Sequence, residues 1–217
     1  MNSNQCPLCK GGEIAHYFQD CYGNYHHCGA CDLIFKSDED LLSSDEERSR
    51  YESHNNDIKD QGYYNFLSQL VEPMLAHLKE DARGVDYGSG PEISIEKIFE
   101  DHKKECVSYD PFFCKNEEHL KKDHYDFLTC SEAVEHMFHP GDELKLMLTL
   151  VKEGGVIGIM TQPHPQNKAQ FESWWYKKDP THVRFFSQKT FDWISEFHNL
   201  RPLYQEGSVF VFKKVDA

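Results

Sequence analysis

The sequence has little positive charge and no long hydrophobic run, and each shortage excludes a class of function. Its 217 residues include 23 lysines and arginines against 37 aspartates and glutamates, a formal net charge of −14. Proteins that bind nucleic acid usually carry a basic face, so this balance argues against a nucleic-acid partner. No apolar run approaches the roughly 20 residues of a membrane span, and the first residues lack the apolar core of a signal peptide. We therefore expect a cytoplasmic protein without membrane association.

The eight cysteines of this sequence are not expected to form disulfides, because no export signal is present. Four of them form two pairs with metal-site spacing, in the segments CPLC and CGAC: Cys6, Cys9, Cys28 and Cys31. Two such pairs supply the four sulfur ligands of a tetrahedral zinc ion. We predict a zinc ribbon over residues 1–38, with Cys21, His26 and His27 as competing ligands. So small a module buries little apolar surface, and we expect the metal to supply much of its folding free energy.

The chain changes character twice after the ribbon. The segment SDEDLLSSDEERSR at 37–50 is acidic and rich in serine, which predicts a linker or a poorly packed helix, and we assign residues 39–60 as an acidic linker. From Tyr63 to Leu78, apolar residues recur at helical spacing, interrupted by Pro73. This pattern predicts a helix that lies against the main sheet.

Residues 61–217 alternate strand and helix patterns, which is typical of a doubly wound, mostly parallel α/β sheet. The patterns predict strands at 83–88, 105–110, 126–130 and 156–161, helices at 91–102 and 187–200, and a helix ending near Lys152 with Gly154–Gly155 as its C-cap. Two final strands around Gly207 predict an antiparallel hairpin at the sheet edge. Because Asp110 and Asp126 lie close in sequence, we expect one outer strand to be missing.

The most informative segment is GVDYGSGPEIS at 84–94, where a Gly-Ser-Gly turn separates a strand from a helix. Gly88 and Gly90 have no Cβ, so the backbone of this turn can approach a ligand closely. The next strand ends at Asp110, and a carboxylate at that position can accept both hydroxyls of a ribose. Together they predict a nucleoside-containing cofactor.

The order of these segments resembles that of the class I S-adenosylmethionine-dependent methyltransferases over residues 60–217. The resemblance rests on VDYGSGPE, SYDP, YDFLTCSEAVEH, KEGGVIGIMT and the terminal hairpin. One departure is Glu92, which stands where the family has a third small residue. Nicotinamide-dependent Rossmann enzymes are the alternative, but they have a fuller G-x-G-x-x-G fingerprint than the GSGPEI found here.

The resemblance implies how the cofactor is held. Residues of the turn (Gly88, Ser89 and Gly90) would pack under the methionine part, and Asp110 would hold the ribose. Phe112 or Phe113 would stack on adenine. Two further cofactor-binding candidates are Asp86, which would orient the turn or meet the amino group through water, and Ser131 at the end of the fourth-strand segment.

The fourth-strand motif also brings Glu132, Glu135 and His136 to the expected site, and DPTHVRFFS adds His182. The pattern is similar to that of small-RNA 3′-end 2′-O-methyltransferases and ubiquinone-pathway O-methyltransferases. This similarity implies a second divalent ion on the four side chains, lowering the pKa of an acceptor hydroxyl. The alternatives are His182 as a general base without metal and a purely structural histidine. Glu132, His136 and His182 are our catalytic candidates.

Three other features are weaker candidates for lining the site: residues 51–56 and 61–66, the tryptophans Trp174 and Trp175, and His164. The first two have structural alternatives, an exposed polar loop followed by a core-facing aromatic face for the two segments and packing onto the sheet for the tryptophans.

We predict a zinc-ribbon methyltransferase that acts on a small molecule, at oxygen. Two alternatives stay open at this point. The first alternative is an RNA or tRNA methyltransferase whose ribbon binds nucleic acid. The second is a catalytically silent binding protein, in which Glu92 reflects lost cofactor affinity.

Overall fold

Two β-sheets organise residues 5–52 and 58–215, the part of the chain that the computed structural model describes. The strands are β1 (Ile14–Asp20), β2 (Gly23–Cys28), β3 (Ile34–Lys36), β4 (Arg83–Tyr87), β5 (Glu105–Tyr109), β6 (Tyr125–Ser131), β7 (Val151–Met160), β8 (Arg184–Phe185), β9 (Leu200–Glu206) and β10 (Val209–Lys214). The helices are α1 (Ser44–Glu52), α2 (Gln61–Leu75), α3 (Ser94–Asp101), α4 (Pro140–Leu150), α5 (Lys168–Ser173) and α6 (Gln188–Phe197). None of these described helices is long and apolar enough to cross a membrane.

The larger sheet confirms the predicted fold class. Among the described residues its strand order is β5-β4-β6-β7-β10-β9. Strands β4 to β7 pair in parallel, whereas β10 runs antiparallel to both β7 and β9. No described strand lies beyond β5, as the short connection to β6 led us to expect. The carboxyl ends of β4, β5 and β6 therefore meet at one edge.

Helix α2 covers this sheet, as its apolar spacing predicts. The carboxylate of Asp60 caps the helix by accepting from the N–H of Tyr63 at 2.9 Å. Leu70 and Met74 are fully buried, and a Cβ added to Gly158 on β7 would lie only 2.3 Å from the Met74 sulfur. This glycine lets the helix approach the sheet closely.

The predicted C-cap at Gly154–Gly155 is wrong. Helix α4 ends at Leu150 and β7 begins at Val151. Between the pairs Tyr125↔Val151 and Phe127↔Val156 the register shifts, which marks a bulge in β7. Gly154, with φ +77°, lies in this bulge. The bulge and the C-cap both require a residue that tolerates the left-handed region, so the glycine alone did not distinguish them.

The cysteine-rich segment packs directly on the larger body. Its sheet has the order β1-β2-β3-β8, so the last strand comes from the C-terminal part of the chain. Leu8 and Leu33 share one apolar core with Leu144 of α4. The N–H of Gly141 donates to the carbonyl of Pro7 at 3.3 Å. The acidic segment before the main domain contains α1, in which Glu47 is buried.

Gly141→Ala should destabilise the protein, because a Cβ at this position would lie 2.2 Å from the carbonyl oxygen of Leu8. We expect a loss of roughly 1–3 kcal/mol in the free energy of unfolding, typical of overpacking. Urea denaturation measures it. Lys145→Ala, at an exposed position of the same helix, should stay within about 0.5 kcal/mol of the wild type. Equal effects of both substitutions would contradict the close contact.

Candidate functional site

A cavity of about 520 Å³ lies at the carboxyl ends of β4, β5 and β6. All predicted site residues outside the four cysteines line it: Asp86, Gly88, Ser89, Gly90, Asp110, Phe112, Ser131, Glu132, Glu135, His136 and His182. Parallel strands present their carboxyl ends on the same edge, which brings these distant segments together. Glu92 is exposed and is not among the lining residues, so this departure from the family motif leaves the cavity wall unchanged.

Asp110 ties the glycine turn to the loop that follows β5. One carboxylate oxygen accepts from the N–H of Gly90 at 2.9 Å. The other accepts from the N–H groups of Phe112 and Phe113, at 2.8 and 3.0 Å. Gly88 and Gly90 have φ values of +79° and +69°, which side chains disfavour. The carboxylate therefore shapes the turn, and its remaining lone pairs are available to ligand hydroxyls.

Asp86 forms the floor of the cavity and is only 3% exposed. Burial raises the pKa of its carboxyl to about 7, although the Thr129 hydroxyl donates to it at 2.8 Å. Desolvation disfavours the charged form more than this one hydrogen bond favours it.

Helix α1 covers the cavity: a helix was one alternative predicted for residues 37–50, but its place over the site was not predicted. The ring of Tyr51 lies 5.9 Å from that of Phe112 and 5.1 Å from that of His136. The Tyr51 hydroxyl donates to Glu47 at 3.2 Å, and burial raises the pKa of Glu47 to about 6. Arg50 pairs with Asp179 at 2.8 Å. Helix α1 carries no apolar stripe, and of the predicted site-lining segment 51–56 only Tyr51 and Glu52 belong to it. Positions 53–57 lie outside the described residues.

Buried Glu135 and half-buried Glu132 meet at Tyr176, a residue that the sequence patterns did not single out. The Tyr176 hydroxyl lies 2.6 Å from Glu135 Oε1 and 3.0 Å from Glu132 Oε2. Glu132 lies outside the 3-10 helix Val134–His136, in the left-handed region with φ +46°. Burial, and next the charge of Glu135, raise the pKa of Glu132 to about 8. One hydroxyl proton serves two carboxylates, so this pair requires a second proton or a cation.

His136 and His182 both use Nδ1 for a hydrogen bond to a backbone carbonyl, which leaves Nε2 of each ring for a ligand. His136 Nδ1 lies 3.0 Å from the carbonyl of Thr181, and His182 Nδ1 lies 2.8 Å from the carbonyl of Tyr176. A carbonyl only accepts, so each Nδ1 donates and each Nε2 is left to accept a proton or bind a cation. Burial lowers the pKa of His182 to about 4. This imidazole is neutral near pH 7.

Three of the four predicted ligands of a second metal lie together. Ligand atoms of Glu135, His136 and His182 are within 4.8 Å of one another, and Glu132 is not part of that group. Glu135 Oε2 and Glu132 Oε1 are buried and have no hydrogen-bond partner among the described residues. The arrangement can bind a divalent cation or take a proton from an acceptor hydroxyl.

The four cysteine sulfurs form a second cluster, outside the cavity. Cys6 and Cys31 Sγ are 3.5 Å apart, as are Cys9 and Cys28 Sγ, and all four lie within 4.8 Å of one another. Sulfurs bound to zinc at about 2.3 Å are about 3.8 Å apart, so the donors fit this ion. The competing residues lie elsewhere: Cys21 is exposed, and His26 and His27 contact Ser37 and Asp32.

The weaker candidates are absent from the described cavity wall, apart from Tyr51, Tyr63 and Phe66. His164 is buried against the ribbon, where its Nε2 lies 3.0 Å from the carbonyl oxygen of Asp32 and its Nδ1 lies 3.1 Å from that of Pro165. Trp174 packs on Phe171 at 5.8 Å, and Trp175 is 64% exposed. These contacts favour a structural role for His164 and Trp174, whereas exposed Trp175 neither lines the described cavity wall nor packs onto the sheet.

A family profile described as a methyltransferase domain matches residues 59–205. The chain belongs to this family. The match confirms the prediction of a class I S-adenosylmethionine-dependent methyltransferase. The ubiquinone biosynthesis O-methyltransferase of Colwellia psychrerythraea (strain 34H / ATCC BAA-681) is 23% identical over 164 residues, 74% of this chain and 65% of that protein. The methyltransferase chain thus matches less than two thirds of this relative's length.

Two solved structures show the same fold. The 1,6-didemethyltoxoflavin-N1-methyltransferase of Burkholderia thailandensis, with bound 1,6-didemethyltoxoflavin and S-adenosylhomocysteine, has a TM-score of 0.58 at 13% identity, covering 88% of this chain and 99% of that one. A SAM-dependent methyltransferase from Archaeoglobus fulgidus has a TM-score of 0.52 at 17% identity, covering 70% and 94%.

Asp86→Asn should stabilise the methyltransferase at high pH. The carboxyl pKa rises from 3.8 to about 7 on folding, so the folded state holds the proton more tightly. Ionisation then costs stability progressively as the pH rises between these values, and fully above the upper one. We expect a gain of roughly 1–3 kcal/mol above pH 7 that vanishes well below pH 4.

Urea denaturation over this pH range measures the gain. Asp192→Asn, at an exposed position of α6, is the control and should show no such trend. A stability difference for Asp86→Asn that is independent of pH would contradict the assigned cause.

Proposed function

We propose that this methyltransferase transfers the methyl group of S-adenosylmethionine to a small-molecule acceptor. The observation that carries the proposal is a single cavity that joins the glycine turn and Asp110 to the glutamate–histidine cluster. Its volume of about 520 Å³ lies in the range of small-molecule sites. The fold neighbour from Burkholderia thailandensis binds S-adenosylhomocysteine, which supports the cofactor.

The cofactor half of the site is formed by the ends of β4 and β5. Gly88, Ser89 and Gly90 would lie under the methionine part, and Asp110 would accept from the ribose hydroxyls while it holds the turn. Phe112 offers an aromatic face to the adenine. When bound, S-adenosylmethionine supplies an electrophilic methyl group on its sulfonium. Catalysis then depends largely on how the residues orient the acceptor in line with that methyl group.

The acceptor half is the cluster after β6, and its chemistry favours a hydroxyl acceptor. The free Nε2 atoms of His136 and His182 are the groups that would take the hydroxyl proton, directly or by holding a divalent ion. Glu135 would complete such an ion site, since its Oε2 is buried without a described partner, and Glu132 would act through Tyr176, whose hydroxyl contacts both glutamates. The ubiquinone biosynthesis relative, an O-methyltransferase, supports oxygen as the methylated atom.

The charge of the site favours a small neutral or cationic acceptor over nucleic acid. The described cavity wall contains acidic side chains and no lysine or arginine, and the chain carries a net charge of −14. A phosphate backbone needs cationic contacts, which this wall does not offer.

The four cysteines would hold one zinc ion with a structural role. They supply four sulfur donors at tetrahedral spacing and leave no coordination position for a substrate. Residues 1–38 would form the ribbon, and residues 61–217 the catalytic domain.

Asp110→Ala should weaken binding of S-adenosylhomocysteine about tenfold or more, because it removes a charged acceptor and releases the glycine turn. Isothermal titration calorimetry measures the dissociation constant, with Asp192→Ala as a surface control. If well-folded wild-type protein binds no S-adenosylhomocysteine, the proposed function is wrong.

A Mn²⁺ titration, monitored through the electron paramagnetic resonance signal of the free ion, tests the metal-assisted form of the reaction. Zinc-loaded wild-type protein should bind one Mn²⁺, and Glu135→Gln and His182→Gln should each weaken that binding about tenfold or more. Glu153→Gln, at an exposed site, is the control. If no saturable Mn²⁺ binding is observed, the metal-assisted form is wrong, and the acceptor hydroxyl would lose its proton to a histidine without a metal.

A further inference from the structure

The loop that carries His182 is held by the ribbon rather than by the larger sheet alone. It runs from Tyr176 to His182 and continues into β8, which pairs with β3 through Ile34↔Phe185 and Phe35↔Arg184. This loop supplies both carbonyls, of Tyr176 and Thr181, that accept from the Nδ1 atoms of the histidines. Its position therefore sets the direction of both imidazoles.

Val183 connects the ribbon to the acceptor site through its backbone. The N–H of Lys36, the last residue of β3, donates to the carbonyl of Val183 at 2.9 Å. The N–H of Val183 donates to the carbonyl of Glu135, also at 2.9 Å. Since His182 directly precedes Val183, one residue links the ribbon to both parts of the cluster.

Two buried lysines connect the same loop to the ribbon. The ammonium of Lys36 donates to the carbonyls of Asp179 and Pro180, each at 3.4 Å. Lys177, within the loop, pairs with Asp20 at the end of β1. Each lysine is only 1% exposed, so these contacts lie within the packed interface and are not screened by solvent.

The second cysteine pair is anchored to the same part of the chain. Asp32 follows Cys31 directly, and its carboxylate accepts from the Ser187 hydroxyl at 2.6 Å and from His27 Nε2 at 2.8 Å. Ser187 lies two residues after β8 and caps α6. The sulfur cluster is thus joined to the far end of β8.

The cofactor half has a separate support. The hydrogen bonds described between the glycine turn or Asp110 and other residues run to Tyr109, Phe112, Phe113 and Cys114. None of these described bonds involves a ribbon residue. We therefore expect disturbance of the ribbon to act first on the half of the cavity that contains Glu135, His136 and His182.

We propose that the metal-bound ribbon is a positioning element of the acceptor site, acting through Lys36, Val183 and the loop Tyr176–His182 on His136, His182 and Glu135. The inference rests on the proposed function, because it assumes a metal on the four cysteines and a cofactor half that binds S-adenosylhomocysteine. Its consequence is selective: loss of the metal disorders the acceptor half and spares the cofactor half.

The experiment compares the full-length wild type with Cys9→Ser, which removes a ligand, and Lys36→Met, which keeps all four ligands but removes the ammonium. Bound zinc is measured by mass spectrometry, and the dissociation constant of S-adenosylhomocysteine by calorimetry. The side-chain signals of His136 and His182 come from long-range ¹H–¹⁵N NMR at one pH. Cys21→Ser and Lys189→Met, both at exposed positions, are matched controls.

We expect one zinc in the wild type, Lys36→Met and both controls, and none in Cys9→Ser. In both test variants the two histidine signals should shift or broaden, while S-adenosylhomocysteine affinity stays within about threefold of the wild type. If Cys9→Ser fails to fold, zinc removal by a chelator and its restoration must produce and reverse the same histidine changes.

Three results would overturn the inference: no metal in the wild type, histidine signals that ignore both variants, or loss of S-adenosylhomocysteine binding in parallel with the histidine changes. The last would make the ribbon a general folding element. A wild type that contains zinc but binds no S-adenosylhomocysteine would instead refute the proposed function, and the histidine signals would still report on the ribbon.

Discussion

The architecture of this methyltransferase depends on how the backbone between Tyr176 and Phe185 is held. The segment contributes a strand to the ribbon sheet, hydrogen bonds to the carbonyl of Glu135, and carbonyls that orient His136 and His182. Backbone N–H and C=O groups have fixed positions along the chain. Their hydrogen bonds therefore couple the position of the ribbon sheet directly to that of the larger sheet. The acceptor half of the cavity therefore lies between two sheets.

In the proposed cofactor half, the environments of two carboxylates are set by hydrogen bonding in one case and by desolvation in the other. Asp110 gains hydrogen bonds from three N–H groups, whereas Asp86 is desolvated with a single hydroxyl donor, and the pKa of its carboxyl rises to about 7. Two carboxylates that line the same cavity beside the glycine turn thus have opposite environments. One shapes the loop, and the other retains a raised proton affinity that favours contact with a positively charged ligand.

Most elements of the larger sheet and the cysteine cluster could be predicted from the sequence, because short sequence patterns indicate them. Period-two and period-3.6 patterns predicted the strands and helices of the larger sheet, and the short stretch after Asp110 predicted the missing outer strand. Paired cysteine spacings predicted a cluster whose sulfurs the structure brings within 4.8 Å. The C-cap at Gly154–Gly155 failed because glycine serves a bulge equally well. A helix was one of two alternatives predicted for residues 37–50, but the position of α1 over the cavity was missed because the helix buries a glutamate, Glu47, and has no apolar stripe.

The sequence by itself determined the fold class, the family, the glycine turn with Asp110 and the four cysteines, since each has a signal in short motifs, in their spacing or in the order of periodic segments. Only the tertiary structure decided the rest. Tyr176 joins Glu132 to Glu135, and Lys36 reaches the loop before His182, across separations that no local spacing records. Such contacts arise from the pairing of β3 with β8, and strand pairing between distant segments is set by the packing of the whole chain.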